Sequence, residues 1–259
     1  MKKSYPEHMS EDDVLFFLHI PKTGGTSLTT ALAEHWGDEL TLTPSQLNTA
    51  KAQPKETLAN AKFVYGHFSR AVCRRRLPTA PNFTITFLRD PVAHFVSIFY
   101  HLRRDTNFAY STRITLGDKE RSLQISELAR ELPLEEFLKR PEADLFDNFQ
   151  IKYLVRGMRF DPDVQDIERL RVLSKKCLKE LGAFGITERY QESLKLIGNA
   201  LGLGAALKHL TSNAAPNKPE ELEITSDIIK AIESRTSLDL ELYEYANQIF
   251  DQRLLSLKN

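Results

Sequence analysis

The residues best placed to do chemistry lie in the stretch His19-Ile-Pro-Lys-Thr-Gly-Gly-Thr-Ser-Leu28. Two adjacent glycines, Gly24 and Gly25, allow a tight turn that bares backbone N–H groups, and Thr26 or Ser27 can cap a following helix. Donors and the positive end of a helix dipole then meet in one place, and the ligand they favour is an anion, most often a phosphate. Lys22 and Thr23 complete a candidate anion-binding set with Gly24, Gly25, Thr26 and Ser27. In an ATPase P-loop the lysine follows the last glycine. Here Lys22 precedes both glycines, on the strand side of a bound anion, where an ammonium can reach a bridging or leaving oxygen. An ordinary tight turn remains open to the same residues.

A second constellation begins at Arg89. Asp90 can cap a helix and Pro91 suits its first position, so Arg89 stands at the entry of a helix over residues 90–104. At about 100° per residue, Val92, Phe95, Val96, Phe99 and Leu102 share an apolar face, and Asp90, His94, Ser97, His101 and Arg104 a polar one. The Arg89 guanidinium and the Ser97 hydroxyl about two turns on make a second oxyanion clamp, unless Arg89 simply pairs with Asp90 or another neighbour. His67, after Gly66, is either a proton-transfer group at a strand end or an imidazole packed in a turn. Arg70, Arg74, Arg75 and Arg76 follow it; such a run fits a solvated face, and beside a site it could also hold an acidic acceptor.

Elements must hold these residues together. Residues 14–18 are short and apolar, as a buried parallel strand would be, and 62–65 and 183–187 read the same way. Residues 83–88 alternate, with Phe83, Ile85 and Phe87 on one side. The glycine turn leads into a helix carrying Leu28, Ala31, Leu32 and Trp36 on one face. Residues 37–60, broken by Pro44 and Pro54, read as loop with one or two short helices, and 106–120 as a polar, mobile loop. Helical patterns follow at 134–139, 145–155 and 164–181, the last capped by Asp161 or Asp163. A helix with Leu194, Ile197 and Leu201 comes after Tyr190, then a loop at 211–219 and closing helices at 226–233 and 238–255. Strands alternating with helices predict an α/β fold with a central, mostly parallel sheet flanked by helices and a helical C-terminal part. Ligands collect at the strand ends of such a sheet, where the glycine turn, His67 and Arg89 fall.

The 259 residues suffice for one large α/β domain, and no linker divides them, so a single domain over 1–259 is expected, with 1–12 flexible. Lys+Arg and Asp+Glu both total 35, a formal net charge of zero, which gives no support for nucleic-acid binding; an anionic ligand must be met by a local cluster. Cys73 and Cys177 cannot make a disulfide framework. There is no signal-like apolar segment after Lys2 and Lys3 and no membrane-length apolar run, so a cytoplasmic protein without an integral membrane segment is expected. No metal-ligand spacing or Ser-His-Asp arrangement is visible.

Together, the Lys-Thr-Gly-Gly-Thr-Ser turn and Leu88-Arg-Asp-Pro-Val-Ala-His-Phe-Val-Ser97 resemble the 5′-phosphosulfate loop and the 3′-phosphate site of sulfotransferases that use 3′-phosphoadenosine 5′-phosphosulfate (PAPS). The resemblance is to the carbohydrate branch, heparan sulfate 2-O-sulfotransferase-like, through Ile20-Pro-Lys-Thr-Gly-Gly-Thr-Ser27 and Tyr65-Gly-His67. Phe184-Gly-Ile-Thr-Glu-Arg-Tyr190 and Asn148-Phe-Gln150 are similar to later family segments. It implies a P-loop-like three-layer fold and in-line sulfuryl transfer, without a metal, to the hydroxyl of a carbohydrate or small molecule. It implies that Lys22 to Ser27 hold the 5′-phosphosulfate, that Arg89 and Ser97 hold the 3′-phosphate, and that Lys218 lies in a loop closing over the donor. His67 would be the general base and Lys22, with the helix N-terminus, would stabilise the leaving oxygen, by analogy with phosphoryl transfer. Two positions depart from the family: His94 stands where members usually carry Arg, and Tyr65 where related glycan enzymes carry a second histidine. A P-loop nucleotide kinase or NTPase and a non-catalytic nucleotide-binding protein are the competing readings.

Overall fold

Phe16 and Phe17 point to opposite faces of strand β1 (Leu15–Leu18), and both are fully buried. Such a strand must run through the middle of a sheet covered on both sides. In the computed structural model, which describes residues 8–105, 119–159, 166–204, 207 and 224–257, it does. The other strands are β2 (Thr41–Leu42), β3 (Phe63–Gly66), β4 (Phe83–Leu88) and β5 (Ala183–Ile186). Their order is β2-β3-β1-β4-β5, and every pair is parallel.

This topology builds the site. Leu18 lies opposite Gly66 on one side and Thr86 on the other, and Leu88 lies opposite Ile186. The residues that follow four strands, His19, His67, Arg89 and Thr187, therefore emerge along one edge of the sheet. The chain goes from β1 outward to β2 and β3, then crosses back to β4 on the far side of β1. That reversal, beyond the carboxyl end of β1, is where an open α/β sheet forms its ligand crevice.

Helix α1 (Gly25–Trp36) begins one residue before the expected Thr26 or Ser27 cap. Gly24 occupies the cap in a left-handed conformation, φ 81°, with no side-chain bond, so Thr26 and Ser27 fall in the first turn. Residues 37–60 hold the short edge strand β2, α2 (Pro44–Asn48), a 3-10 turn Ala50–Ala52 and α3 (Lys55–Ala59). The two helices fit the loop-and-helix reading; a two-residue strand has no period to detect. All six residues of β4 are buried, not only the alternate set, because both sheet faces are covered.

After α4 (Arg70–Arg76) and α5 (Pro91–Arg104) come α6 (Lys119–Glu131) and α7 (Leu134–Leu138). The polar α6, which the expected loop at 106–120 obscured, buries only a sparse stripe that includes Ile125 and Ala129. The helix expected over 145–155 divides into a 3-10 turn, Pro141–Phe146, and α8 (Phe149–Arg159), separated by Asn148 at φ 47°. Helix α9 (Ile167–Glu180) is capped by Asp166, whose carboxylate accepts Arg169 N–H at 2.9 Å. The expected caps Asp161 and Asp163 lie outside the described residues, as do 1–7, 106–118 and 211–219. Helices α10 (Tyr190–Ala200), α11 (Ser226–Arg235) and α12 (Ser237–Ser256) complete the described elements. None of the described helices is long and apolar enough to cross a membrane.

Gly157 lets α8 cross β1 closely: a Cβ there would lie 2.5 Å from both Leu18 methyls. This contact brings α8 over the end of β1, beside the crevice.

Candidate active site

Four consecutive carbonyls between β1 and α1 are each taken by a side chain. Thr23 Oγ1–H donates to Ile20 C=O at 2.8 Å, and His94 Nε2–H, from α5, donates to Pro21 C=O at 2.8 Å. Arg89 Nη1–H donates to Lys22 C=O at 3.0 Å, and Thr187 Oγ1–H to Thr23 C=O at 2.6 Å. The Thr187 hydroxyl also lies 3.0 Å from Leu88 C=O, bridging the turns after β1 and β4. With its carbonyls tied inward, the turn is free to offer N–H groups outward, the arrangement of an anion nest. Lys22 is held at φ 67°, a left-handed backbone that costs a non-glycine residue about 1 kcal/mol or more. These bonds hold that strain. Thr23 is fully buried and its hydroxyl is spent inside the turn, so it shapes the loop from within.

Charge in the crevice is one-sided. Burial, then Arg104 and Arg89, lower the Lys22 pKa, and no carboxylate among the described residues offsets them. Burial lowers Arg89 as well, against the opposing pull of Glu188 and Asp90. Asp90 caps α5 by accepting Ala93 N–H at 2.8 Å, so the carboxylate nearest Arg89 is that of Glu188, 3.9 Å from Nε. His101 is pushed down to about 4 by burial and Lys22, with Asp105 opposing.

His94 corrects the expected helix faces. Placed on the polar face of α5, it is in fact only 2% exposed, and burial drives its pKa to about 3. The face carrying His94, Ser97 and His101 looks toward the glycine turn rather than into water. Ser97 lies between the two histidines, half-buried, on the side that faces Lys22. Arg89 reaches the glycine turn directly, Ser97 shares a helix face with His94, which also does, and Lys218 lies outside the described residues.

His67 stands at the end of β3 with Nδ1 2.7 Å from His19 C=O. A carbonyl only accepts, so Nδ1 carries the proton, and in the neutral ring Nε2 keeps its lone pair. Burial lowers the His67 pKa while this backbone bond opposes, which favours the neutral base near pH 7. The Tyr153 ring of α8 meets His67 edge-on at 6.5 Å between centroids.

His19 had no role assigned from sequence. Its ring lies 4.8 Å from that of His67 and stacks on Phe17 at 5.2 Å. Burial, His67 and then Lys22 drive its pKa to about 3, so this imidazole is neutral. His19, directly after β1, is thus a second histidine beside His67, where position 65 is a tyrosine. Its presence in the glycine motif was the available signal; only the strand order reveals its neighbour. A Cβ on Gly25 would lie 2.6 Å from His19 Cδ2 and 2.7 Å from Phe17 Cζ, so only glycine lets helix and imidazole meet.

The arginine run forms α4. Arg76 donates to Leu47 C=O at 2.8 Å and Asn48 Oδ1 at 3.0 Å, a structural use, while Arg74 and Arg75 are exposed.

A sequence profile described as the sulfotransferase family matches residues 8–246. Heparan-sulfate 6-O-sulfotransferase 1 of Cricetulus griseus is 26% identical, over 98% of this chain and 71% of that protein. The Homo sapiens protein of the same name is 27% identical over 98% of this chain and 69% of its own length. Heparan-sulfate 6-O-sulfotransferase 2 of Homo sapiens is 26% identical over 93% and 45%. These relatives carry 6-O in their names, where the sequence resemblance pointed toward 2-O.

Proposed function

Because the chain belongs to the sulfotransferase family, we propose that it moves the sulfuryl group of PAPS to a carbohydrate hydroxyl, with His67 as base and Lys22 at the leaving group. The observation that carries this reading is the neutral His67 beside a cationic crevice in which no carboxylate among the described residues offsets Lys22.

The crevice residues fit a donor with two separated anionic groups. Lys22 and the N–H groups of Gly24 to Ser27 would hold one, and Arg89 with Ser97 the other. When bound, the donor supplies a sulfuryl group attached to a stable phosphate leaving group. His67 Nε2 accepts the proton of the acceptor hydroxyl while its Nδ1–H stays on His19 C=O. Lys22 and the α1 N-terminus neutralise negative charge at the leaving oxygen; the inward-tied carbonyls keep these donors in place before reaction. A carbohydrate acceptor is supported by the names of the relatives.

Adenosine 3′,5′-bisphosphate, the product nucleotide, should raise the melting temperature without magnesium. At a hundredfold excess over Kd the stabilisation is about 2.7 kcal/mol, and no shift at saturation would remove the donor site. Transfer of labelled sulfate from PAPS should then be screened over heparan sulfate, other glycans and small alcohols. Transfer confined to small alcohols would refute the carbohydrate acceptor and leave the donor reading intact.

A further inference from the structure

Gln150 grips the backbone of Arg89 from both sides. Its Oε1 accepts Arg89 N–H at 2.9 Å and its Nε2–H donates to Arg89 C=O at 2.8 Å. One side chain thus fixes both peptide groups at the point where β4 gives way to α5. The Arg89 guanidinium in turn holds Lys22 C=O at 3.0 Å. Gln150 therefore reaches the strained Lys22 turn through a single intervening residue.

Gln150 is itself held with unusual care. It is the second residue of α8, whose first N–H groups have no partner within the helix. Asp239, a residue of α12 only 2% exposed, takes Gln150 N–H at 3.0 Å and Ile151 N–H at 2.7 Å. In return, Asn148 Oδ1 accepts Leu238 N–H at 2.8 Å and Asp239 N–H at 3.3 Å. Each helix start is capped by the other's side chain, and Asn148 takes up its left-handed backbone at that junction. Burial pushes the Asp239 carboxyl up to about 7 against the pull of its N–H donors. A serine or threonine at the ordinary N-cap would satisfy such groups without burying a carboxyl. What the cap from 89 residues away adds is a fixed place for Gln150.

We infer that Gln150, set by the reciprocal caps of Asn148 and Asp239, is a positioning residue that fixes Arg89, and through it the Lys22 turn, for the donor nucleotide. The inference rests on the nucleotide reading of the Lys22 and Arg89 crevice. Its mark is coupling: Gln150 acts on the ligand only by way of Arg89.

Calorimetric binding of adenosine 3′,5′-bisphosphate to the unaltered chain, Arg89→Ala, Gln150→Ala and the double variant tests it. Gln150→Ala should bind at least about tenfold more weakly, and the double variant should match Arg89→Ala within about twofold. The KM for PAPS should rise in step with the weakened binding, and kcat should fall no further in the double variant than in Arg89→Ala. If Gln150→Ala gives no cooperative melt, Asn148→Gly keeps the left-handed backbone and removes only the side-chain cap; it should weaken binding at least about threefold. Unchanged nucleotide binding in a folded variant, or additive losses in the double variant, overturns the inference alone. No binding by the unaltered chain overturns the nucleotide reading and the inference with it.

Discussion

An imidazole with Nδ1–H committed to a backbone carbonyl has one nitrogen left for chemistry, and that nitrogen is a base. His67→Ala should therefore keep adenosine 3′,5′-bisphosphate binding and lose at least about a hundredfold in turnover, measured by sulfate transfer. Retained turnover would remove His67 from the mechanism. Because its pKa lies below the ordinary 6.5, the acid limb of kcat/KM should fall below that value; a limb at or above it would contradict the burial. Tyr65-Gly-His67 makes this residue a candidate, but its proton placement is not legible there. The carbonyl that fixes it belongs to His19, just past a strand and 48 residues earlier. His94 was misplaced for a related reason. Periodicity reports which residues share a helix face, but it does not say whether that face meets water or another loop.

The glycine turn is the element on which most of the site hangs, and its conformation is imposed from the ends of β4 and β5 and from α5. Gly25→Ala should drive a methyl into the rings of His19 and Phe17. The expected result is a loss of about 1–3 kcal/mol of stability in a denaturant melt, together with loss of nucleotide binding; a variant that binds normally would show that the turn tolerates the shift. Thr187→Val removes the hydroxyl between Thr23 and Leu88 at nearly constant volume. It should cost about 1–2 kcal/mol and weaken nucleotide binding, since the turn would be free to rotate its carbonyls. The strands that carry this element were legible because a buried parallel strand is a short apolar run. The break at Asn148 was not, since the N–H groups that its side chain caps lie 90 and 91 residues further on.

At the scale of the whole molecule the crevice is a store of displaced protons. His19 and His94 are held neutral, each with a pKa of about 3 against 6.5 unfolded. The unfolded chain binds more protons below pH 6.5, so stability present above that pH is lost as pH falls toward the folded values. Each of these histidines contributes about 1.4 kcal/mol of loss per pH unit below 6.5, to be read as a falling melting temperature between pH 7 and 5. The reciprocal caps between α8 and α12 have a consequence for the order in which the protein is made. The Lys22 turn is synthesised well before Asp239, the residue that secures Gln150. A nascent chain arrested before Ser237 should pass through a column of immobilised adenosine 3′,5′-bisphosphate, and the released chain should be retained. The crevice begun at Lys22 is complete only once Asp239 has been made.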